Sequence, residues 1–166
     1  MNTLTLIKNL ERPEAAIDMI LDTDAYNEID DQFAIAYMLA NRDKLNVKAI
    51  YAAPFHNGKS SGAKDGMEKS YDEIKKVLSM VDGTAEIEVY KGSEQFLDDE
   101  KTPVISPAAE HLVKLAGQYS SDKPLYVAAI GAITNIASAI LMKPEITDKI
   151  VVVWLGGNAM HWHDTK

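Results

Sequence analysis

The chain has 166 residues, 46% apolar and 25% charged, with a formal net charge of −8 and no cysteine. That size allows a buried core, the acidic balance argues against non-specific nucleic-acid binding, and the lack of cysteine excludes disulfides, thiolate metal sites and cysteine nucleophiles. No apolar run approaches the roughly 20 residues of a membrane span, and residues 1–16, polar and broken by Pro13, lack a signal-peptide core, so a cytoplasmic protein is expected.

Strand and helix patterns alternate along the chain. Ile17 to Asp22 predicts a buried strand, and Asp30 to Arg42 a largely apolar helix. Val47 to Ala53 predicts a second strand. Ser60 to Val81 carries Met67, Tyr71, Ile74, Val77 and Leu78 at helical spacing, and Asp82-Gly83 closes that helix with a turn signal. Ile87 to Tyr90 is a short strand, followed by an irregular stretch from Gly92 to Ser106. Pro107 to Tyr119 is a helix, with Ser106 placed to cap it and Pro107 at its first position. Leu125 to Ile130 is a strand, Thr134 to Met142 a short helix ending before Pro144, and Ile150 to Leu155 a last strand closed by Gly156-Gly157. Five β-α repeats predict a mostly parallel, Rossmann-like α/β sheet with helices on both faces. No linker interrupts it, so one domain over residues 1–166 is expected.

Ligands of such sheets gather at the carboxyl ends of the strands. Here those ends read Asp22-Thr23-Asp24, Pro54-Phe55-His56-Asn57-Gly58, Gly131-Ala132-Ile133-Thr134-Asn135 and Gly156-Gly157-Asn158. The first is the most informative. Asp22, Asp24, Glu28, Asp30 and Asp31 fall within ten residues, between two apolar runs. Helix capping and the helix dipole account for Asp30 or Asp31 alone, but not for Asp22 and Asp24 at a strand end. Like charges this close repel, and one takes up a proton unless a cation intervenes. A hard divalent cation with oxygen ligands is the simplest way to keep them ionised. An EF-hand is excluded: its sixth position would be Asn27 and its twelfth Phe33, where glycine and glutamate are required.

These segments together resemble the inosine-uridine preferring nucleoside hydrolase family. Asp22-Thr23-Asp24 with Asp30-Asp31 is similar to its Asp-x-Asp-Pro-Gly-x-Asp-Asp signature, with a loop two residues longer and without Pro-Gly. Ile130-Gly131-Ala132-Ile133-Thr134-Asn135-Ile136-Ala137 resembles its Gly-Pro-Leu-Thr-Asn segment. Lys143-Pro144-Glu145-Ile146 and Leu155-Gly156-Gly157 follow in the expected order, and His56-Asn57 falls where the family carries an asparagine. The resemblance spans residues 17 to 158. It implies Ca²⁺ held by Asp24, Asp31 and the Thr134 carbonyl. It further implies Asp24 as the general base for a Ca²⁺-bound water, Asp30 and Asn57 as contacts to the ribose, and Asp22 as a group that orients the loop from behind. The implied reaction is hydrolysis of a ribonucleoside to ribose and free base. Such chemistry passes through an oxocarbenium-like state that carboxylates stabilise.

Family members run to about twice this length, and their second half supplies a Glu-x-Asn segment and a later His-Asp pair. His161-Trp162-His163-Asp164 comes too early to be that pair and is read as the loop after the last strand. The chain is therefore expected to be the amino-terminal half of the fold, to be inactive alone, and to form a homo-oligomer or associate with a carboxyl-terminal half. A Mg²⁺ phosphohydrolase of the haloacid dehalogenase type also starts with a strand and Asp-x-Asp, but needs a late acidic pair that Leu155-Gly156-Gly157 lacks. A non-catalytic binding domain is the third reading. His111 is expected to be structural, His56 to be either solvated or near substrate, Met67, Met80, Met142 and Met160 to fill the core, and Asn135 to cap its helix.

Overall fold

A computed structural model describes residues 3–157. It contains five strands: β1 (Ile17–Thr23), β2 (Leu45–Ala52), β3 (Glu88–Lys91), β4 (Leu125–Ala129) and β5 (Ile150–Trp154). They alternate with helices α1 (Thr3–Leu10), α2 (Ile29–Ala40), α3 (Ala63–Ser79), α4 (Pro107–Ala116) and α5 (Thr134–Met142), and a short 3-10 helix, Pro144–Asp148, precedes β5. All pairings are parallel, in the order β3-β2-β1-β4-β5. The chain builds outward from β1 to β3, then returns to the other side of β1 with β4. The reversal opens a crevice between β1 and β4 at their carboxyl ends, where doubly wound sheets bind ligands.

The strands are apolar on both faces because helices cover both. On one side α4 and α5 bury Leu112 and Ile136 against Ile20, Tyr51, Leu125 and Val127. On the other, α2 and α3 bury Ile35, Met67 and Ile74 against Leu21 and Ile50. The α4 start is built as its sequence predicts: Pro107 stands in the first turn and the Ser106 hydroxyl accepts the Ala109 N–H at 3.2 Å. Gly83, with φ of 70°, makes the turn after α3, and Arg42 donates to the carbonyls of Asp82 and Gly83.

Three expectations are corrected. Helix α1 forms where only polar chain was expected, and its Leu4, Ile7 and Leu10 are exposed. Met80 is 70% exposed just past the end of α3, whereas Met67 is buried. Asn135 makes no cap bond and is buried in hydrogen bonds described below. The expectations placed on Asn158, Met160 and the His161–Asp164 loop lie outside the described residues.

Candidate active site

The β1 end and the loop after it hold the carboxylates. Asp22, Asp24 and Asp31 are all buried, while Asp30, on the first turn of α2, is exposed. A tight turn follows Asp24, closed by the Asn27 N–H donating to the Asp24 carbonyl at 2.7 Å. It carries the Asn27 side chain back over Asp24, where Nδ2 donates to Oδ2 at 3.0 Å. Asp31 lies at the start of α2 and accepts from the Thr23 hydroxyl. First-turn aspartates suit the positive end of a helix, so Asp30 and Asp31 support α2 as well as the site.

The β2 end contributes Asn57. Its Nδ2 donates to Asn27 Oδ1 at 2.5 Å, and its own Oδ1 accepts from the Lys59 N–H at 2.9 Å. Lys59 Nζ in turn donates to the Asn27 carbonyl. The side chains of Asp24, Asn27 and Asn57 thus form one chain of hydrogen bonds. Asn27 stands in the loop stretch that departs from the family pattern, and the sequence alone assigns it no role. Its amide type and its place three residues after Asp24 are the only signal for it. Tyr26 stacks with Phe55 across the same loops, with ring centroids 6.5 Å apart.

The β4 end contributes Gly131 and Thr134. A Cβ on Gly131 would lie 2.7 Å from Asp24 Oδ1, so any larger residue there would force the carboxylate to shift. Thr134 is buried as the first residue of α5. The β5 end reaches the same turn through Trp154 Nε1, which donates to the Gly131 carbonyl at 3.0 Å. Asp24 thus interacts with Asp22 and Asp31 through their charges, and Asp22 is tied to Asn135 beside Thr134. Asn57 joins Asp24 through Asn27, and Asp30 is exposed on the first turn of α2. His56 is exposed on the β2 loop. His111 lies elsewhere, its Nδ1 bonded to the buried Tyr51 hydroxyl at 2.8 Å and its ring stacked on Tyr90, as a structural residue would be.

The electrostatics are those of acids without counter-charge. Burial pushes Asp22 up to about 7, against its hydrogen bond from Asn135 and with added repulsion from Asp24. Burial pushes Asp31 up to about 6, opposed by the Thr23 hydroxyl and reinforced by Asp24, Asp30 and Glu28. Asp24 is raised by burial too, against the Asn27 bond. Among the described residues no Lys, Arg or His forms an ion pair with these three. Asp22 Oδ2 is buried with no partner at all. These donors fit a hard cation in chemistry: buried carboxylate oxygens that lack positive charge. They do not form a full cage, since among the described residues no group of three or more His, Asp or Glu is arranged to hold a metal. An open cavity of about 870 Å³, lined by Arg12, Tyr37 and Lys44 among others, opens at the amino ends of β1 and β2 and includes none of these residues.

A doubly wound sheet with buried acids at its switch point defines a class of α/β ligand-binding folds. Within it, the inosine-uridine preferring nucleoside hydrolase family matches residues 19–165, and the chain belongs to that family. Two solved structures share the fold. One is a purine-preferring ribonucleoside hydrolase from Gardnerella vaginalis, 22% identical, with a TM-score of 0.56 over 85% of this chain and 49% of that one. The other is an inosine-uridine preferring nucleoside hydrolase from Bacillus anthracis, 20% identical, with a TM-score of 0.57 over 86% of this chain and 51% of that one. The chain spans about half the length of these structures. No curated protein matches it.

Proposed function

We propose that this chain carries the sugar-and-metal half of a nucleoside N-ribohydrolase site. The observation that supports this best is the set of buried acids at the β1–β4 crevice, raised by burial and unpaired with any described cation. Asp24, Asp31 and Thr134 would hold Ca²⁺, which when bound supplies the positive charge that keeps the carboxylates ionised and eases deprotonation of water. Asp24 is the general base: its carboxylate accepts the proton of the attacking water as the C1′–N bond of the nucleoside breaks. Asn27 holds Asp24 Oδ2 and leaves Oδ1 on the Gly131 side. The negative charge of the cluster stabilises the developing oxocarbenium ion at C1′. Asp30 and Asn57, exposed beside it, bind ribose hydroxyls. Asp22 stays behind this layer, tied to Asn135, and orients the strand end. The water oxygen bonds to C1′, the departing ring nitrogen takes up a proton, and the products are ribose and free base.

The test supplies this chain within a polypeptide as long as the matched relatives, incubates it with inosine and uridine in Ca²⁺, and measures reducing sugar. Ribose release is expected, and Asp24→Asn should lower it by at least the roughly 10²–10⁴-fold that a general base is worth. Release of phosphate from phosphomonoesters, with no sugar from nucleosides, would overturn the reading in favour of a phosphohydrolase.

A further inference from the structure

Asn135 is the second residue of α5, next to Thr134, and is fully buried. Its amide is saturated. Nδ2 donates to Asp22 Oδ1 at 2.8 Å and to the Ala52 carbonyl at 3.2 Å. Oδ1 accepts from the Ser93 N–H at 2.7 Å and from the Ser93 hydroxyl at 2.8 Å. A side-chain amide has two donor hydrogens and two acceptor lone pairs, and all four are used here. The backbone partners fix its orientation, since a flipped amide would face a donor with a donor at Ser93 and an acceptor with an acceptor at Ala52.

The partners come from three strand ends. Asp22 lies on β1, Ala52 closes β2, and Ser93 stands two residues past β3. The side chain itself belongs to the helix that follows β4. One amide therefore joins the carboxyl ends of β1, β2 and β3 to the turn after β4. The chain approaches this closely because residue 92 is glycine: a Cβ there would lie 2.0 Å from the Ala52 carbonyl oxygen and 2.4 Å from Asn135 Nδ2. No other side chain satisfies the set. Aspartate has no hydrogens to give Asp22 and Ala52, glutamine is one methylene too long, and an apolar residue would leave buried polar groups unpaired. Helix capping does not explain the residue either, since it lies inside α5 and makes no cap bond.

We propose that Asn135 is a positioning residue. By clamping the first turn of α5 to Asp22, it sets where Thr134 stands relative to Asp24 and Asp31. It acts through Asp22 and the α5 turn. Its consequence for the metal rests on the reading of Asp24, Asp31 and Thr134 as ligands; the clamp does not.

The test exchanges the two ends of the contact. Asn135→Asp keeps the shape but turns both donors into acceptors facing Asp22 and Ala52. Adding Asp22→Asn returns a donor to the pair and restores the original charge. Two readouts are compared in the parent, the single and the double variant: backbone amide resonances without metal, and Ca²⁺ binding by calorimetry. In Asn135→Asp the resonances of residues 22–31 and 131–135 should move. Ca²⁺ affinity should fall about 10–100-fold, as when a ligand's supporting partner is lost. Both should recover in part in the double variant, because the contact with residue 22 is repaired while the Ala52 carbonyl still faces an oxygen. A merely space-filling role would produce no recovery. Unchanged resonances and affinity in the folded single variant, or no recovery in the double, overturn the proposal. If the parent takes up no Ca²⁺, the metal reading fails, and the clamp is judged by recovery of the resonances alone. If Asn135→Asp does not fold, Ser93→Ala removes one of the four bonds without adding charge. About three-fold weaker Ca²⁺ binding, or the same resonance shifts, is then expected, and no change in either overturns the clamp.

Discussion

Asp22 carries the clearest consequence at the scale of single residues. Its folded pKa lies near 7, above the ordinary 3.8, because burial penalises the charged form more than Asn135 favours it. Asp31 follows at about 6. Between those values and 3.8 the folded chain binds more protons than the unfolded one, so stability falls as pH rises. The contribution is complete below about 4 and is lost as pH passes the folded values. A tenfold change in a carboxyl's proton affinity corresponds to about 1.4 kcal/mol, and each kcal/mol moves the midpoint of a chain this size by about 2–4 °C. With chelator present, the melting temperature should therefore drop by at least about 5 °C between pH 5 and pH 8. Asp22→Asn should flatten that slope, and Ca²⁺ should restore stability at pH 8 if the cluster binds it. Thermal scans across pH decide this, and a chelated parent that melts highest at pH 8 would contradict the buried, unpaired state of these acids. Gly131→Ala is the steric counterpart. Its Cβ would press on Asp24 Oδ1, so Ca²⁺ affinity should fall while the melting temperature in chelator changes little, a split that calorimetry and thermal scans read separately.

Single elements show which local signals survive folding. Ser106 and Pro107 are legible as the start of α4, and the bond from Ala109 N–H to Ser106 is there. Ser106→Ala should cost about 1 kcal/mol, or about 2–4 °C in melting temperature, without altering the site; a loss several times larger would mean that Ser106 does more than cap. The five strands are legible for the same local reason: short apolar runs bounded by turn residues, with helical spacing between. Asp22 and Asp24 are legible as candidates because they stand at a strand end, while Asp31 and Thr134, in the first turns of α2 and α5, are candidates only through the family resemblance. Asn135 reads wrongly as a cap because its sequence position, early in a helix, is equally that of one. Only the tertiary approach of Ser93 and Ala52, permitted by Gly92, distinguishes a clamp from a cap. Asn27 escapes for a related reason, since its contact with Asp24 depends on how a lengthened turn closes. Helix α1 escapes, although Leu4 and Ile7 recur at helical spacing, because the segment is short and is followed by Pro13.

At the scale of the whole fold, the described helices cover both faces of the central strands but leave one face of β4 and β5 partly bare. Helices α2 and α3 cover β1 to β3, but on that face β4 and β5 present Tyr126, Ala128 and Ile130, half-buried, beside Val153 and Leu155, which are exposed. On α2, Ile29, Phe33 and Tyr37 repeat every four residues and are each about two-thirds exposed. Residues at that spacing lie on one helix face, so α2 carries an exposed apolar stripe in addition to the exposed residues of β5. The formal charge of −8 keeps copies apart at long range, but salt screens it beyond about 10 Å at 0.1 M. Self-association of the 166-residue chain should therefore increase with salt, the opposite of an ion-pair interface. Sedimentation at low and high ionic strength reads this directly. Phe33→Lys with Val153→Lys places charge at two exposed side chains, one on α2 and one on β5, and should return the chain to monomer at high salt with its melting temperature within a few degrees of the parent's. A parent that sediments as a monomer at all salt concentrations and binds no hydrophobic dye would show that these residues do not drive association.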